Sequence, residues 1–294
     1  MSAIVITRVS PGSTIQDAGR GGALLYGISA SGPMDRSGFA QAGALLGRAG
    51  SAGIEFTANG IAFGVEGEMV FGAAGGAFVL KVDGRKKTWP AKMRLADGDS
   101  VEIAPGAAGN YGYLRFDSEI GIAPVLGSRA TNLIAQIGGM DGRALKKGDR
   151  IVLDGEGVDV AAAATHDMSG ETVAVLPGLH ADQLGAGLWA KFAEAEFRIS
   201  RFGDRMGIRL DDPARVFSGV VARTLVSDAV VPGDIQILGD GTPVVLMRDH
   251  QPTGGYPRIA TVLDSELDRL AQMRPGKAVR FLPVTLAHAR RLGR

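Results

Sequence analysis

One local pattern occurs three times in this chain and restricts its fold more than any other feature. The copies are Leu95-Ala-Asp-Gly-Asp-Ser-Val101-Glu-Ile103, Leu145-Lys-Lys-Gly-Asp-Arg-Ile151-Val-Leu153 and Met273-Arg-Pro-Gly-Lys-Ala-Val279-Arg-Phe281. Each reads as a turn feeding a strand whose apolar residues alternate, and such strands commonly close small β-barrels. The copies are irregularly spaced, so the chain is not a solenoid; they suggest two or more barrel-like units. Further short strands punctuated by Gly are predicted over 4–9, 68–71, 77–82, 111–116, 171–176, 196–200, 233–238, 243–247 and 259–263. Asp83-Gly84 is a type I′ hairpin signal leading into a strand over 85–89.

Helices are few. Gly32-Pro33 predicts a start with Pro at the first helical position, and Phe39, Ala42, Gly43 and Leu46 then share a face before Gly47. A second helix is expected from about 182 to 195, with Leu184, Leu188 and Phe192 in line and Gly185 and Gly187 weakening it. A third opens at the capping box Ser265-Glu-Leu-Asp268 and stops before Arg274-Pro275-Gly276. The boundary falls within 155–170, which holds Ala161-Ala-Ala-Ala164, and divides the chain into domains over 1–160 and 170–294. Strand exchange between the halves would leave no mark in the sequence.

With 294 residues, 45% of them hydrophobic, the chain can bury ample core in two domains. Thirty-two Lys and Arg oppose 31 Asp and Glu, so no basic field attracts nucleic acid or an anionic membrane. The absence of Cys excludes disulfides, a Cys nucleophile, iron–sulfur clusters and thiolate zinc sites. The start, Met1-Ser2-Ala3-Ile4-Val5-Ile6-Thr7-Arg8, has no basic leader region, and no apolar stretch is long enough to span a bilayer. A cytoplasmic location is the expectation.

Several chemistries are missing from the sequence. There is no P-loop, since Gly276-Lys277-Ala278 lacks both the upstream Gly and the hydroxyl. His166, His180, His250 and His288 are scattered, so no metal site is expected. Gly27-Ile-Ser29-Ala-Ser31 lacks the last Gly of a nucleophile elbow. Lys92, in Pro90-Ala91-Lys92-Met93, reads as a surface residue at a strand end and not as a biotin acceptor.

Four dense polar–glycine clusters remain, at 13–21, 29–36, 203–207 and 248–257. Together they mix carboxylates, Arg, hydroxyls and amides with Gly. Glycine lets a backbone approach a ligand, Arg clamps carboxylate or phosphate, and Gln reads a lactam or ureido group through paired donor and acceptor. The same residues also make ordinary turns. Asp17–Arg20 and Asp204–Arg205 read equally as structural ion pairs, and His250 as a hydrogen-bonded turn residue.

At these clusters the chain resembles the C-type subunit of 5-oxoprolinase, a family also described as allophanate hydrolase subunit 2 or as the biotin-dependent carboxyltransferase family. Thr14-Ile-Gln-Asp-Ala-Gly-Arg20 is similar to T-V-Q-D-x-G-R, and Ser31-Gly-Pro-Met-Asp-Arg36 to S-G-x-M-D. Pro124-Val-Leu-Gly-Ser-Arg129 matches P-V-L-G-S-R. Gly138-Gly-Met-Asp-Gly-Arg143 with Gly148-Asp149 resembles G-G-x-x-G-R…G-D. Asp204-Arg-Met-Gly-Ile-Arg-Leu210 resembles D-R-M-G-x-R-L. Val231-Pro-Gly-Asp-Ile-Gln236 with Gln251-Pro-Thr-Gly-Gly-Tyr-Pro257 resembles V-P-x-G-x-I-Q…Q-T-T-G-G-Y-P. Departures include Ala42-Gly43-Ala44-Leu45-Leu46-Gly47-Arg48, where the family often shows A-N-x-L-V-G-N, and Pro252 in place of the first Thr of Q-T-T-G-G-Y.

The resemblance implies a mainly β protein of two cyclophilin-like β-barrel units with a few short helices. It implies ATP-dependent opening of 5-oxo-L-proline to L-glutamate, with two partners: the B-type subunit of 5-oxoprolinase, related to allophanate hydrolase subunit 1, and a lamB-type third subunit. With no P-loop, ATP bound here would sit in an unconventional site or at an interface. On this reading Asp17, Asp35 or Asp204 acts as the base for water. Thr14, Gln16, Arg20, Ser31, Arg205, Gln251, Thr253, Gly254, Gly255 and Tyr256 bind substrate. The alternatives are carboxyl transfer from carboxybiotin, held in trans, to urea or a related amide, and a non-catalytic role antagonising a histidine-kinase inhibitor.

Overall fold

The computed structural model describes residues 2–163, 169–219 and 225–292. All three copies of the repeated motif fold into the same turn. Asp99 N donates to Ala96 O (3.2 Å), Asp149 N to Lys146 O (3.2 Å) and Lys277 N to Arg274 O (3.1 Å). The third residue of each turn is Gly98, Gly148 or Gly276, at φ 85°, 90° and 84°, the type II geometry that demands positive φ there. Each turn then exchanges two backbone hydrogen bonds with one residue of a neighbouring strand. Gly98 and Asp99 pair with Val65, Gly148 and Asp149 with Ile6, and Gly276 and Lys277 with Ile199, all between 2.7 and 3.0 Å. Leu95, Val101 and Ile103, Leu145, Ile151 and Leu153, and Met273, Val279 and Phe281 are the buried apolar residues of the three copies.

The chain forms two compact units, Met1–Ala23 with Ala30–Asp167, and Leu24–Ser29 with Met168–Arg294. It is mainly β, in agreement with the sequence. The first unit holds a ten-stranded sheet that does not close. Ser100–Phe116 is its organising strand, pairing with Gly53–Thr57, Ile61–Glu66 and the long Met69–Val82. Asp83 and Gly84 both have positive φ (49° and 73°) and bring Val82 opposite Arg85, which is the type I′ hairpin read from the sequence. The core of this unit includes Phe56, Phe78 and Trp89 in mutual edge-on contact.

The second unit is a closed barrel of seven strands. In order round the barrel they are Thr172–Pro177, Arg258–Val262, Asp234–Ile237, Pro243–Leu246, Gly207–Asp211, Glu196–Gly203 and Ala278–Pro283. Every pairing is antiparallel except that of Thr172–Pro177 with Ala278–Pro283. Phe192, Phe197, Phe217 and Phe281 are fully buried and pack against one another in this unit, with Phe192 stacked on Phe281 and Phe197 on Phe217.

The helices differ from expectation at their starts. The first runs over Arg36–Ala44, not from Gly32-Pro33, because Asp35 is its N-cap and accepts from Gly38 N at 2.8 Å. The second is two segments, Ala181–Leu184 and Ala186–Glu194, parted by Gly185 at φ 87°. The third, Asp264–Gln272, begins after Leu263 without a side-chain cap. Its capping box does not form, because Asp268 pairs with the buried Arg248 at 3.1 Å while Asp264 takes the other guanidinium nitrogen at 2.9 Å. Ala164 and His166 lie outside the described residues. Among the described residues no helix is long and apolar enough to cross a membrane.

Candidate functional site

The four polar clusters gather in two places. In the first unit, 13–21 and 29–36 meet the segment 125–143 in a buried hydrogen-bond network. Gln16 Oε1 accepts from Gly32 N (3.1 Å), while its Nε2 donates to Thr14 Oγ1 (2.9 Å) and Thr131 O (3.1 Å). Asp17 accepts from Ser128 Oγ and Arg129 N, both at 2.5 Å, and from Gly19 N at 2.9 Å. Arg20 donates not to Asp17 but to the carbonyls of Val125 and Ala130. Asn132 Nδ2 donates to Ser31 Oγ at 3.1 Å. Asp35 N donates to the Tyr113 hydroxyl (2.7 Å), which donates to Glu55 Oε2 (3.0 Å). Burial, with the charges of Glu55 and Asp35, pushes that hydroxyl well above its ordinary pKa.

Thr14, Gln16, Arg20, Ser31 and Asp35 are at most 2% exposed and Asp17 is 7% exposed. Most of their polar atoms are spent on one another and on the backbone, as buried polar groups must be. Chemically, this arrangement holds three chain segments in fixed register. Arg115 lies near it, 4.3 Å above the Phe39 ring and donating to Gly50 O; burial lowers its pKa to about 10, still cationic at neutral pH.

In the second unit, 203–207 and 248–257 meet at a cavity of about 720 Å³. Its wall is one face of three adjacent barrel strands. Arg209 stands opposite Val244, Gly207 opposite Leu246 and Gln236 opposite Val244. Alternation sends the intervening Ile208, Val245, Ile235 and Ile237 into the barrel core. The rim carries Arg201, Phe202, Asp204, Met206, Gln251 and Tyr256.

Asp204 is exposed on that rim, and its Oδ1 accepts from Met206 N (2.7 Å) and Gly207 N (3.2 Å), the local bonding that makes Asp a turn residue. Arg205 turns the other way and forks onto Asp249, with Nε to Oδ2 at 2.7 Å and Nη2 to Oδ1 at 3.2 Å, tying the two clusters together. Thr253 and Gly254 form a short strand against Asp228 and Ala229. Gly255 O accepts from Leu225 N at 2.8 Å. The Arg258 guanidinium holds Asp228 (2.9 Å) and Asp234 (3.4 Å). His250 is buried with Nδ1 at 2.6 Å from Gln251 O, the turn role read for it, and burial lowers its pKa.

Gln251, Tyr256 and Asp204 therefore line the cavity, while Arg205 supports it from behind. The sequence reading missed Gln236, Arg201 and Arg209. Gln251 Nε2 donates to Gln236 Oε1 at 3.2 Å. Arg201 lies over the Phe202 ring at 4.9 Å. Among the described residues neither Arg201 nor Arg209 has a carboxylate within ion-pair distance. A polar residue at every second position of an apolar strand was the available signal for Gln236 and Arg209. A second cavity of about 480 Å³ shares Phe202 and Arg209 with the first. Among the described residues no group of three or more His, Asp or Glu is placed to hold a metal ion. The larger cavity thus offers two carboxamides for a planar amide, guanidiniums for an anion, and one carboxylate at the rim.

The family described as carboxyltransferase domain, subdomain A and B, matches residues 26–283. The chain is 31% identical over 298 residues to the 5-oxoprolinase C-type subunit of Haemophilus influenzae, covering 99% of this chain and 94% of that one. It is 30% identical over 287 residues to the 5-oxoprolinase C-type subunit of Escherichia coli, covering 97% and 92%. The crystal structure of the Kluyveromyces lactis urea carboxylase superposes with a TM-score of 0.87 at 25% identity over 98% of this chain. This chain spans only 28% of that carboxylase.

Proposed function

This chain belongs to the carboxyltransferase-domain family, subdomains A and B, and from that premise we propose that it is the C-type subunit of a 5-oxoprolinase, opening 5-oxo-L-proline to L-glutamate with ATP. Its relatives of that name are enzyme subunits, which supports an enzyme-subunit role within a complex of several chains. The observation that carries the proposal is the cavity wall. There the Gln236 and Gln251 carboxamides touch at 3.2 Å beside guanidiniums that have no ion-pair partner among the described residues. A lactam acid presents a carbonyl, an N–H and a carboxylate. Carboxamides complement the first two and guanidinium the third.

A lactam is a resonance-stabilised amide with a poor leaving group, so its oxygen must be activated before water can add. In this proposal ATP is the co-substrate that supplies the activation. The groups of this chain that suit an anionic phosphate are Arg201 and Arg209. The cavity is far larger than a lactam, which leaves room for a second reactant. In this proposal Asp204, the carboxylate on the rim, takes a proton from water. Asp17 and Asp35, buried and bonded within the first unit, are assigned to the frame. The B-type and lamB-type subunits complete the enzyme.

The test is glutamate release from 5-oxoproline and ATP by the co-expressed subunits, with this chain and without it. Omission is expected to abolish release, and Asp204→Asn to lower kcat by roughly a hundredfold. Undiminished release without the chain overturns the proposal. The likeness to urea carboxylase favours a second reading, carboxyl transfer from carboxybiotin held in trans, because the biotin ureido ring is also a cyclic amide. Transfer of labelled carboxyl from carboxybiotin to urea by the same complex would establish it.

A further inference from the structure

We propose that Gln236 holds the carbonyl oxygen of a cyclic amide, and that glycine at 254 keeps the Gln236 amide in position for it; this rests on the amide reading above. Gln236 is 2% exposed, and its Nε2 is buried with no hydrogen-bond partner among the described residues. An unpaired buried donor is costly to leave. The orientation of the amide is fixed from the other side, because Oε1 already accepts from Gln251 Nε2. The nitrogen is therefore the end left for a ligand.

Gln236 keeps regular register with the strand Pro243–Leu246, standing opposite Val244 between the Ile235–Val245 and Ile237–Pro243 pairs. On the Arg258–Val262 side Ile235 stands opposite Ala260 and Gln236 opposite Arg258, so the extra residue, Ile259, lies in the partner strand. Ordinary alternation therefore turns Gln236 away from the core residues Ile235 and Ile237 and onto the cavity wall.

Gly254 packs against the Gln236 amide nitrogen. A Cβ there would come within 2.4 Å of Gln236 Nε2 and 3.4 Å of Gln251 Nε2. Unlike Gly233 or Gly241, it does not have a positive φ, so its conformation does not call for glycine. What calls for glycine at 254 is the close approach to the Gln236 amide, which a methyl group would displace. A lactam such as 5-oxoproline and the cyclic urea of biotin each present a carbonyl acceptor to that donor.

Calorimetric titration of the full chain with 5-oxo-L-proline and, separately, with biotin tests this. The unsubstituted protein is expected to bind at least one of them. Gly254→Ala and Gln236→Glu are each expected to weaken that binding roughly tenfold or more. The atom that a Cβ at 254 meets first is the far end of the Gln236 side chain and not backbone, so Gly254→Ala is expected to melt within a few degrees of the parent. It keeps the test valid if Gln236→Glu fails to fold. Unchanged affinity in Gly254→Ala overturns the inference, as does binding of neither probe by the parent. Binding of biotin but not 5-oxoproline upholds the inference and removes the oxoprolinase reading. Binding of 5-oxoproline without glutamate release from the complex likewise separates the two.

Discussion

Arg205 forks onto Asp249 at 2.7 and 3.2 Å, and not onto its sequence neighbour Asp204. The pair is almost wholly buried, with side-chain exposures of 7% and 2%. It leaves Asp204 facing solvent at the cavity rim. Removing one partner of a buried pair strands the other charge. Arg205→Met is therefore expected to cost about 3 kcal/mol of stability, read from urea unfolding. A loss well under about 1 kcal/mol would show that water relieves Asp249.

The frame in the first unit has its own signature. Tyr113→Phe removes the acceptor of Asp35 N and a donor to Glu55. About 1–3 kcal/mol of stability should be lost, with KM for 5-oxoproline unchanged in the assembled enzyme. A rise in KM without loss of stability would mean that this network meets substrate after all.

Phe192 touches Trp189, Phe197, Phe217 and Phe281, and is fully buried. Phe192→Ala should cost about 3–5 kcal/mol, seen as a lower unfolding midpoint. A cost below about 1 kcal/mol would mean that the aromatic cluster closes over the gap.

Two histidines make stability depend on pH. Burial, and then the Arg258 guanidinium, lower the pKa of His180 against the opposing pull of Asp228 and Asp234. Burial lowers that of His250 against Gln251 O, Asp234 and Asp249. His180 Nδ1 also accepts from Arg258 N at 3.2 Å, a bond that a proton on Nδ1 would break. A depressed folded value gives stability that is complete above the unfolded value of about 6.5 and is lost as pH falls through the folded value. The urea midpoint should therefore drop as pH falls below about 6.5, and the drop should shrink in His180→Gln. Equal drops in parent and variant would remove His180 from the account.

Much of this was legible in the sequence because it depends on local periodicity. The alternating strands, the Asp83-Gly84 hairpin and the three glycine turns need no distant partner to be recognised. The helix starts were less legible, since Asp35 and Asp268 each had more than one available partner and tertiary contacts chose between them. Cluster composition pointed to Asp204, Gln251 and Tyr256 at the cavity. It could not separate them from Asp17 or Gln16, which have the same chemistry but are consumed by neighbours over a hundred residues away. Gln236 read only as the end of a motif and not as part of the site; its alternation was visible in the strand, but the unpaired nitrogen that marks it is not a property of the residue's letter.

The three glycine turns also bear on how such a chain is compared with others. Asp99 and Asp149 each add a side-chain bond to the first N–H of their turn, at 2.8 and 2.9 Å, and Lys277 has no acceptor with which to do so. The third copy nevertheless keeps all three main-chain bonds. The unit is thus kept as a shape, with one glycine as the letter its turn requires. Two proteins could share its backbone at every position while an alignment of their residues recorded a single glycine in common.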